Sequence, residues 1–428
     1  MPDQPAFTRR EFVHTAAIIS TIATMPAFLH RSALAMADPR DAPLTRSRPS
    51  IPDDRILVVI QLSGGNDGLN TVIPFGENAY YNARPNIAIP EDQVLVLDQR
   101  RGIGLHPQLA ALKDMIDEGQ AAVVMGAGYP NPNRSHFASM DIYHTGDTQS
   151  GASLGWVGQA MDQAAPETGS ALIAIGSEAP LAGYGRKTQP VAFESPNLFR
   201  WSGADLHDSL GRQYDTINRA GVLSDANVGA NEQMAFVMRT SLDAQLASDQ
   251  IRNAVGRDPL TSFPGGQLAN QLRMVAAMIR ADLPTRVYYV GMGGFDTHAN
   301  QPGRHSNLLT QFGDAMRAFY NELAAMRQQH RVLSLAFSEF GRRVAQNASQ
   351  GTDHGTAGPM FLFGPMVLPG LQGTHPAFDR LDEGDLAYTV DFRGVYAAVL
   401  DQWLKVDSRE VLGRQYGIAK VLDRRHVA

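Results

Sequence analysis

Six short apolar runs, separated by stretches with helical periodicity, constrain the fold of this chain most strongly. The runs are continuous rather than alternating, as expected of strands that are covered on both faces of a sheet. They are ILVVIQL (56–62), AAVVMGA (121–127), ALIAIG (171–176), RVYYVG (286–291), VLSLAF (332–337) and MFLFG (360–364). Helical patterns such as HPQLAALKDMIDEG, NQLRMVAAMIRADL and HSNLLTQFGDAMRAFYNELAAMRQQH lie between them. This order predicts an α/β fold with a mostly parallel sheet and helices on both faces.

The composition limits the kinds of site that this fold can contain. The formal net charge is -6, which argues against a nucleic-acid partner. The chain has 0 cysteines, so disulfides, thiolate metal sites and cysteine nucleophiles are excluded. Any metal must therefore bind to His, Asp, Glu or Asn side chains.

The N-terminal residues have the order of features of an export signal. Arg9-Arg10 precedes a mildly apolar stretch that ends in Ala33-Leu34-Ala35, an A-x-A cleavage pattern. The segment resembles a twin-arginine leader; the alternative is a chance arginine pair before an amphipathic helix. We predict a signal peptide over residues 1–35, a linker over 36–55 and one α/β domain over 56–428. The implied partner is the twin-arginine export machinery, and the implied location is periplasmic or secreted.

The region from about residue 200 to 265 differs from the rest of the domain. It is richer in polar and helical segments and lacks a convincing buried strand. We interpret it as a helical insertion or cap. No run after the leader reaches the roughly 18 uninterrupted apolar residues that indicate a transmembrane segment.

Side chains with ligand chemistry follow or precede several of the predicted strands. Ligands of open α/β sheets bind at the carboxyl ends of the strands, so these positions are the candidate site. They are Asp67 in SGGNDGLN, Ser135 in GYPNPNRSHFASMDI, Asp296 and His298 in GGFDTHANQ, Glu339 in SEFGRR, and Asp353 and His354 in GTDHGTAGPMFLFG. Each has an ordinary explanation: aspartates and histidines occur in tight turns, and a helix N-cap serine contributes about 1 kcal/mol. The whole set at one edge favours a metal site.

The order of these residues resembles that of the alkaline phosphatase superfamily, which includes phosphatases, sulfatases and cofactor-independent phosphoglycerate mutases. More narrowly, LSGGNDGLNTVIPF, GYPNPNRSHFASMDI, GGFDTHANQ, FSEFGRR and TDHGTAGPMFLFG resemble the bacterial family of unknown function numbered 1501. That resemblance covers nearly the whole chain after the leader. It implies an alkaline phosphatase-like fold but names no reaction.

The resemblance implies roles for the candidate residues. Ser135 matches the nucleophile, placed at a helix N-terminus that favours an anionic group. The proposed zinc ligands are Asp296, His298 and His354, a nitrogen-rich set, whereas Asp67 and Glu339 form an oxygen-only site that suits Mg, Mn or Ca. Arg134 or Arg342 matches the group that holds the non-bridging oxygens.

One position departs from the superfamily pattern. Phe340 follows Glu339 where the superfamily has a ligating histidine, and phenylalanine cannot bind a metal. In an alternative alignment, Asp353 and His354 form the superfamily's Asp-His pair, and His375 of GTHPAF is the late histidine.

The resulting functional prediction is an exported, metal-dependent hydrolase with one or two divalent metals. A serine nucleophile would hydrolyse a phosphomonoester or phosphodiester of a small molecule or a polymer. Sulfatase activity is disfavoured because SHFAS lacks the proline and arginine of the C/S-x-P-x-R setting. The alternative, suggested by Phe340, is a catalytically degenerate binding or assembly protein on the same fold.

Overall fold

The computed structural model describes residues 54–149, 151–164, 171–195 and 250–427. The predicted export leader at residues 1–35 lies outside the described residues, as does most of the predicted insertion, 196–249. Among the described helices, none combines the length and the apolar character that crossing a bilayer requires.

The strands are short, and each predicted apolar run forms one of them. They are β1 Ile56–Leu62, β2 Val72–Ile73, β3 Leu95–Asp98, β4 Ile103–Leu105, β5 Ala121–Gly128, β6 Leu172–Ile175, β7 Val191–Phe193, β8 Val287–Met292, β9 Val332–Phe337, β10 Gly358–Phe363, β11 Gly370–Gln372, β12 Leu381–Asp382, β13 Asp385–Leu386 and β14 Val390–Asp391.

The central sheet is mixed but mostly parallel. Its strand order is β11-β5-β10-β9-β1-β8-β6-β7, and β14 also pairs with β5. Only β10 pairs antiparallel to its neighbours β5 and β9 among the strands of this sheet, whereas β1 pairs in parallel with both β8 and β9. Strands β2, β4 and β3 form a separate small antiparallel sheet, and β12 pairs with β13.

Helices connect the strands, and three of them overlap the helical patterns quoted from the sequence. The described helices are α1 Gly68–Thr71, α2 Asn78–Ala83, α3 Ala110–Asp117, α4 His136–Thr145, α5 Trp156–Ala164, α6 Gln267–Arg280, α7 Gln301–Ala325, α8 Phe392–Ala398, α9 Ser408–Val411 and α10 Arg424–Val427. Short 3-10 turns occupy Glu91–Gln93, Pro107–Leu109, Leu181–Gly183 and Gln329–Arg331, and a π-helical segment at Val399–Leu404 continues α8.

Both faces of the central sheet are buried under helices. Val58 and Ile60 of β1 belong to a hydrophobic cluster with residues of α3, α6 and α7. Leu57 and Val59, which point to the opposite face because side chains alternate along a strand, belong to a second cluster with residues of α5 and α8. The predicted α/β fold, with a mostly parallel sheet and helices on both faces, is confirmed.

The sheet topology places several chain segments at one edge. Strands β1, β8 and β9 are parallel neighbours, so their carboxyl ends lie together. Strand β10 runs in the opposite direction, so its first residue, rather than its last, lies at that edge. The residues that follow β1, β8 and β9 therefore meet the residues that precede β10.

Candidate metal centre

Two glycine-rich turns pack directly against each other beyond β1 and β8. Gly64 has a φ of +115, and a Cβ atom on it would lie 2.4 Å from the backbone nitrogen of Asp296. Phe295 N donates a hydrogen bond to the Ser63 carbonyl at 3.2 Å. A glycine is therefore required at position 64, both for its backbone conformation and for its contact with the Asp296 loop.

The segment after β9 pairs with the segment before β10. Arg343 N donates to the Asp353 carbonyl at 3.0 Å, and Gly355 N donates to the Gly341 carbonyl at 3.0 Å. A Cβ atom on Gly355 would lie 2.4 Å from the carbonyl carbon of Arg342, so this close pairing requires glycine. The pairing brings the SEFGRR and TDHGT motifs together at the sheet edge.

Three imidazole rings converge on one carboxylate oxygen at this edge. The distance from Asp296 Oδ1 to the ring Nε2 atom is 3.0 Å for His298, 3.4 Å for His354 and 3.5 Å for His136. The Nε2 atoms of His298 and His354 are 2.9 Å apart. We call these four side chains the histidine cluster. Of the predicted site residues, it contains Asp296, His298 and His354.

The other nitrogen of each ring is held by an acceptor from outside the histidine cluster. These acceptors are the Glu339 carboxylate for His136 at 2.8 Å, the Arg134 carbonyl for His354 at 2.8 Å and the Asp353 carboxylate for His298 at 3.2 Å. An ionised carboxylate or a carbonyl only accepts hydrogen bonds, so each Nδ1 atom must carry the proton. In the neutral rings, the Nε2 lone pairs then face Asp296, which is how metal-binding histidines are oriented.

The charge states of the cluster suit a cation. Burial lowers the pKa of His354 below its usual value, and the nearby Arg342 charge lowers it further, so this ring is neutral at neutral pH. Burial raises the pKa of Asp296, but the hydrogen bond and charge of Arg342, together with His298 and His136, outweigh it. The net shift is downward, and Asp296 is ionised. An anion therefore faces imidazole lone pairs.

The residues of the histidine cluster fit a divalent metal ion. One ligand atom from each of His136, Asp296 and His354 lies within 4.8 Å of the others. His136 Nε2 is buried and has no hydrogen-bond partner. Metal–ligand bonds of about 2.0–2.1 Å in a tetrahedral site place the ligand atoms roughly 3.3 Å apart. The four distances measured in the cluster, from 2.9 to 3.5 Å, lie around that value.

Arg342 supplies a fixed positive charge beside the cluster. Its side chain is fully buried, and Nη2 lies 2.6 Å from Asp296 Oδ1. The guanidinium also donates to the backbone carbonyls of Gly64, Gly65, Phe295 and Thr352, and its Nη1 atom lies 3.4 Å from His298 Nε2. This guanidinium thus holds Asp296 in place, and the surrounding carbonyls hold the guanidinium.

Asp67 lies in a different, fully buried network. Its carboxylate forms an ion pair with Arg84 Nη1 at 2.7 Å, and both side chains have 0% exposure. Gln301 donates to Asp67 Oδ2, and Asn70 N donates to Oδ1 at 3.3 Å. Burial raises the pKa of Asp67, but Arg84, His305 and Gln301 together lower it below its usual value. The structure therefore surrounds Asp67 with hydrogen-bond donors and does not place it in the histidine cluster.

Ser135 lies beside the cluster through its chain neighbours. It is the N-cap residue of α4, as expected, but its side chain makes no capping hydrogen bond. The carbonyl of the preceding residue, Arg134, accepts a hydrogen bond from His354, and the following residue is His136. Ser135 is exposed, so its hydroxyl is accessible at the start of a ten-residue helix.

The guanidinium of Arg134 points to other partners. Its Nη2 atom lies 2.6 Å from Asp385, and its Nη1 atom lies 3.1 Å from Glu383. These contacts anchor the chain before Ser135 to the β12–β13 hairpin. The structure thus brings the Arg134 carbonyl to the cluster, but not its charged group.

The remaining predicted residues surround the histidine cluster. Glu339 also accepts a hydrogen bond from Gly64 N at 2.8 Å. Phe340 packs against the rings of His136 and His354, with centroids 4.9 and 4.8 Å apart. His375 bonds to the carbonyl of the next residue, Pro376, at 2.8 Å. Glu339 and Asp353 thus bond to ring nitrogens of the cluster, and Phe340 forms a wall behind two of its rings.

His136 is the cluster member that the sequence analysis did not select. Its signal in the sequence was its position directly after Ser135, at the start of a predicted helix that follows a buried strand. Other histidines have structural roles. His106 caps a 3-10 turn, and burial lowers its pKa to about 4. His144 bonds to Gln61 and Tyr289.

Comparison with protein families gives one match over almost all of the described chain. The family model described as "Protein of unknown function (DUF1501)" matches residues 54–427. No curated protein sequence matches the chain.

Several solved structures show a partial likeness to this chain. The PsFucS1 sulfatase from Pseudoalteromonas sp. is 10% identical, with 99% of this chain and 81% of that chain covered and a TM-score of 0.35. A protein in the alkaline phosphatase superfamily from Vibrio parahaemolyticus is 9% identical, with coverages of 83% and 70% and a TM-score of 0.33. The alkaline phosphatase from the Antarctic bacterium TAB5 is 8% identical, with coverages of 73% and 92% and a TM-score of 0.29. At these values, the likeness gives no information on the activity of this chain.

Proposed function

The chain belongs to the DUF1501 family of proteins of unknown function, and we propose that it is a metal-dependent hydrolase of phosphate esters. The observation that supports this best is the convergence of three imidazole Nε2 atoms on Asp296. One of these rings, that of His136, directly follows the exposed Ser135 at a helix N-terminus. A cation site next to a hydroxyl nucleophile is the arrangement that phosphoryl transfer requires.

The proposed metal is zinc, held by His136, His298, His354 and the Asp296 carboxylate. Three nitrogen ligands and one oxygen ligand suit zinc better than magnesium or calcium, which prefer oxygen. A bound zinc ion would polarise an ester oxygen and stabilise the negative charge that develops on it. Asp296 is 47% exposed in its side chain, so solvent and substrate have access to the site.

Ser135 is the proposed nucleophile. Its oxygen would form a bond to phosphorus while the bond from phosphorus to the ester oxygen breaks, and the Ser135 proton would leave with the released alcohol. Water would then cleave the phosphoserine, with its hydroxyl going to phosphate and its proton to Ser135. The N-terminus of α4 would favour the anionic phosphoryl group during both steps because its backbone N–H groups and dipole are positive.

We propose a single metal rather than two. The oxygens of Asp67 are hydrogen-bonded to Arg84 and Gln301, and those of Glu339 to His136 and Gly64. Arg342 already places a buried positive charge 2.6 Å from Asp296. In this proposal, the Mg, Mn or Ca site considered from the sequence is not formed, and Arg342 provides the second positive charge.

The experiment that tests the proposal combines elemental analysis with a substrate screen. Purified protein should contain about one zinc per chain and hydrolyse a phosphomonoester or a phosphodiester. Ser135→Ala should retain the zinc and lose turnover by about 1,000-fold or more, because it removes the nucleophile but no cluster ligand. Zinc-loaded wild-type protein that hydrolyses no ester in the screen would reject the hydrolase.

A second candidate function is an exported binding or assembly protein. The observation that favours it is the buried Asp67–Arg84 ion pair, which removes one of the ligands that the resemblance implies. This candidate predicts that the metal, if bound, is structural. Ser135→Ala would then match the wild type in every assay, whereas chelation would lower the melting temperature.

We further propose that the protein is exported by the twin-arginine pathway. Replacing Arg9 and Arg10 together by Lys should leave the precursor in the cytoplasm, because the pair is the part of the leader that the receptor recognises. Cell fractionation followed by immunoblotting measures this. Normal appearance of processed protein outside the inner membrane would contradict the assignment.

A further inference from the structure

A cavity of about 230 Å³ opens beside the histidine cluster. We call it the side cavity. Its walls include three aromatic residues, two prolines and a leucine: Tyr129, Phe340, Tyr388, Pro130, Pro132 and Leu386. It is thus a largely apolar space at the catalytic edge of the sheet.

The side cavity is connected to the proposed site at two points. Phe340 lines the cavity and also packs against the imidazoles of His136 and His354. Asn133 also lines it, and its side-chain oxygen accepts a hydrogen bond from Ser135 N at 2.8 Å. A group attached to a phosphoryl unit at Ser135 therefore has an adjacent space to enter.

The charge around the side cavity limits what it can accept. Among the described residues that line it there is no lysine, arginine or histidine, and the one charged residue is Asp382. The nearby guanidinium of Arg134 is already engaged by Asp385 and Glu383. A second anionic group would therefore find no cation here. Neutral hydrogen-bonding groups are present, on Asn131, Asn133 and Tyr388.

We propose that the side cavity binds the neutral, six-membered ring of the alcohol part of the ester substrate. Aromatic and proline walls suit the flat face of such a ring, and the amides suit its hydroxyl groups. The volume is below the roughly 300–1,000 Å³ of most small-molecule sites, so it suits one ring rather than a longer oligomer. The ring is that of a sugar or of a phenol. This inference rests on the proposed function, because it concerns the group that the hydrolysis releases.

The test fills the cavity without changing the histidine cluster. Ala387→Trp places an indole at a lining position. Ala324→Trp is the matched control, because Ala324 is exposed near the end of α7, which precedes the opposite edge of the sheet. The substrates are phenyl phosphate, glucose 6-phosphate and ethyl phosphate, which share the phosphoryl group and differ in the ring.

The wild type should prefer at least one ring ester over ethyl phosphate by about tenfold or more in kcat/KM. Ala387→Trp should remove that preference while changing kcat/KM for ethyl phosphate by less than about twofold, and Ala324→Trp should change neither. The preferred ring ester identifies the ring as a phenol or a sugar. Equal kcat/KM values for the three esters in the wild type would overturn the proposal. An equal loss on all three in Ala387→Trp would also overturn it.

A binding measurement separates this inference from the proposed function. Phenol and methyl α-glucopyranoside carry no ester, so saturation-transfer NMR can detect their binding whether or not the protein is an enzyme. Binding of one of them to the wild type and not to Ala387→Trp would support the ring site even if no ester is hydrolysed. Equal signals from the wild type and Ala387→Trp for both compounds would reject it.

Discussion

Asp67 and Asp296 both follow glycine-rich turns at the carboxyl ends of neighbouring strands, β1 and β8, yet their burial and their other neighbours differ. Asp67 is completely buried and ion-paired with Arg84. Asp296 is 47% exposed in its side chain, and its Oδ1 atom faces three imidazoles. Each carboxylate pairs with a buried arginine, but only that of Asp296 also faces imidazole rings and solvent, so only Asp296 has the surroundings of a metal ligand.

The difference arises from segments that are distant in the chain. Arg84, the partner of Asp67, is the residue that follows α2. Its guanidinium also donates hydrogen bonds to the carbonyls of Val344 and Arg343. The partners of Asp296 come from the start of α4 and from the pairing of the SEFGRR and TDHGT segments. The comparison teaches that a glycine-rich turn with an aspartate does not by itself define a metal ligand. Its neighbours in space decide whether it stabilises the fold or binds a cation.

The largest expected effect is on stability. Asp67→Asn leaves the Arg84 charge buried without its counter-ion, which should lower the free energy of unfolding by about 3–5 kcal/mol. Asp296→Asn should cost less than this in metal-free buffer, because solvent screens the half-exposed Asp296 carboxylate and the buried Arg342 keeps its carbonyl partners. Guanidinium denaturation in EDTA measures both. Equal losses would show that the two aspartates have the same role.

The second effect is on bound metal. Here the Asp296 variant should show the larger loss, whereas the Asp67 variant shows the larger loss of stability. Asp296→Asn and His136→Ala should each lose most of the bound zinc, whereas Asp67→Asn should keep about one equivalent. With free zinc at 100 times the dissociation constant, bound metal stabilises the wild type by about 2.7 kcal/mol, and this increment should disappear in the two cluster variants. Elemental analysis and melting curves with and without chelator measure it. A zinc content that falls only in Asp67→Asn would contradict the proposed ligand set.

A smaller effect on metal affinity is expected from replacing Glu339, which accepts the hydrogen bond of His136 Nδ1. Glu339→Gln replaces a carboxylate acceptor with an amide, and such changes weaken metal binding by about 10–100-fold. The matched control is Asp353→Asn, which changes the acceptor of His298 Nδ1 in the same way. The Asp353 side chain is 56% exposed, so this variant should weaken metal binding less than Glu339→Gln does. Competition with a chromophoric chelator gives both affinities. Equal affinities in the wild type and in Glu339→Gln would show that Glu339 does not orient a ligand.

The last effect is a pH dependence of stability that belongs to the Asp67 region. His305 belongs to the Asp67 region through its contact with Asn66 at 3.0 Å, and burial lowers its pKa from 6.5 to about 4. Between about pH 6.5 and 4, His305 therefore binds a proton in the unfolded chain but not in the folded chain. Stability should consequently fall as the pH is lowered through this window, by up to about 1.4 kcal/mol per pH unit.

The control for this pH effect is His305→Gln in metal-free buffer. In this variant, the slope of the unfolding free energy against pH should decrease by the amount that uptake of one proton causes, about 1.4 kcal/mol per pH unit. The contributions of His106 and His144 to that slope should remain. Denaturation at pH 4.5, 5.5, 6.5 and 7.5, in steps of about one unit, gives the two slopes. Identical slopes in the wild type and the variant would reject the assignment of this proton to His305.

Much of the fold could be predicted from local sequence patterns. Continuous apolar runs such as those of β1, β8 and β9 are confirmed as central strands, and long amphipathic patterns as α3, α6 and α7. These predictions succeed because burial on both faces of a sheet and the helical repeat leave direct signatures in consecutive residues. The edge at which ligand-type residues collect could be predicted as well, since parallel strands present their carboxyl ends together.

The membership of the histidine cluster depended on contacts that no local pattern contains. His354 reaches the cluster because β10 is antiparallel and begins, rather than ends, at this edge. His136 enters because the first turn of α4 points its ring at Asp296, and Asp67 is excluded because Arg84 lies 17 positions away in the chain but 2.7 Å away in space. The sequence alone determined that ligand-type groups follow β1, β8 and β9, because parallel strands present their carboxyl ends at one edge. Tertiary structure decided which of these groups face one another, because strand direction and side-chain partners arise from long-range packing.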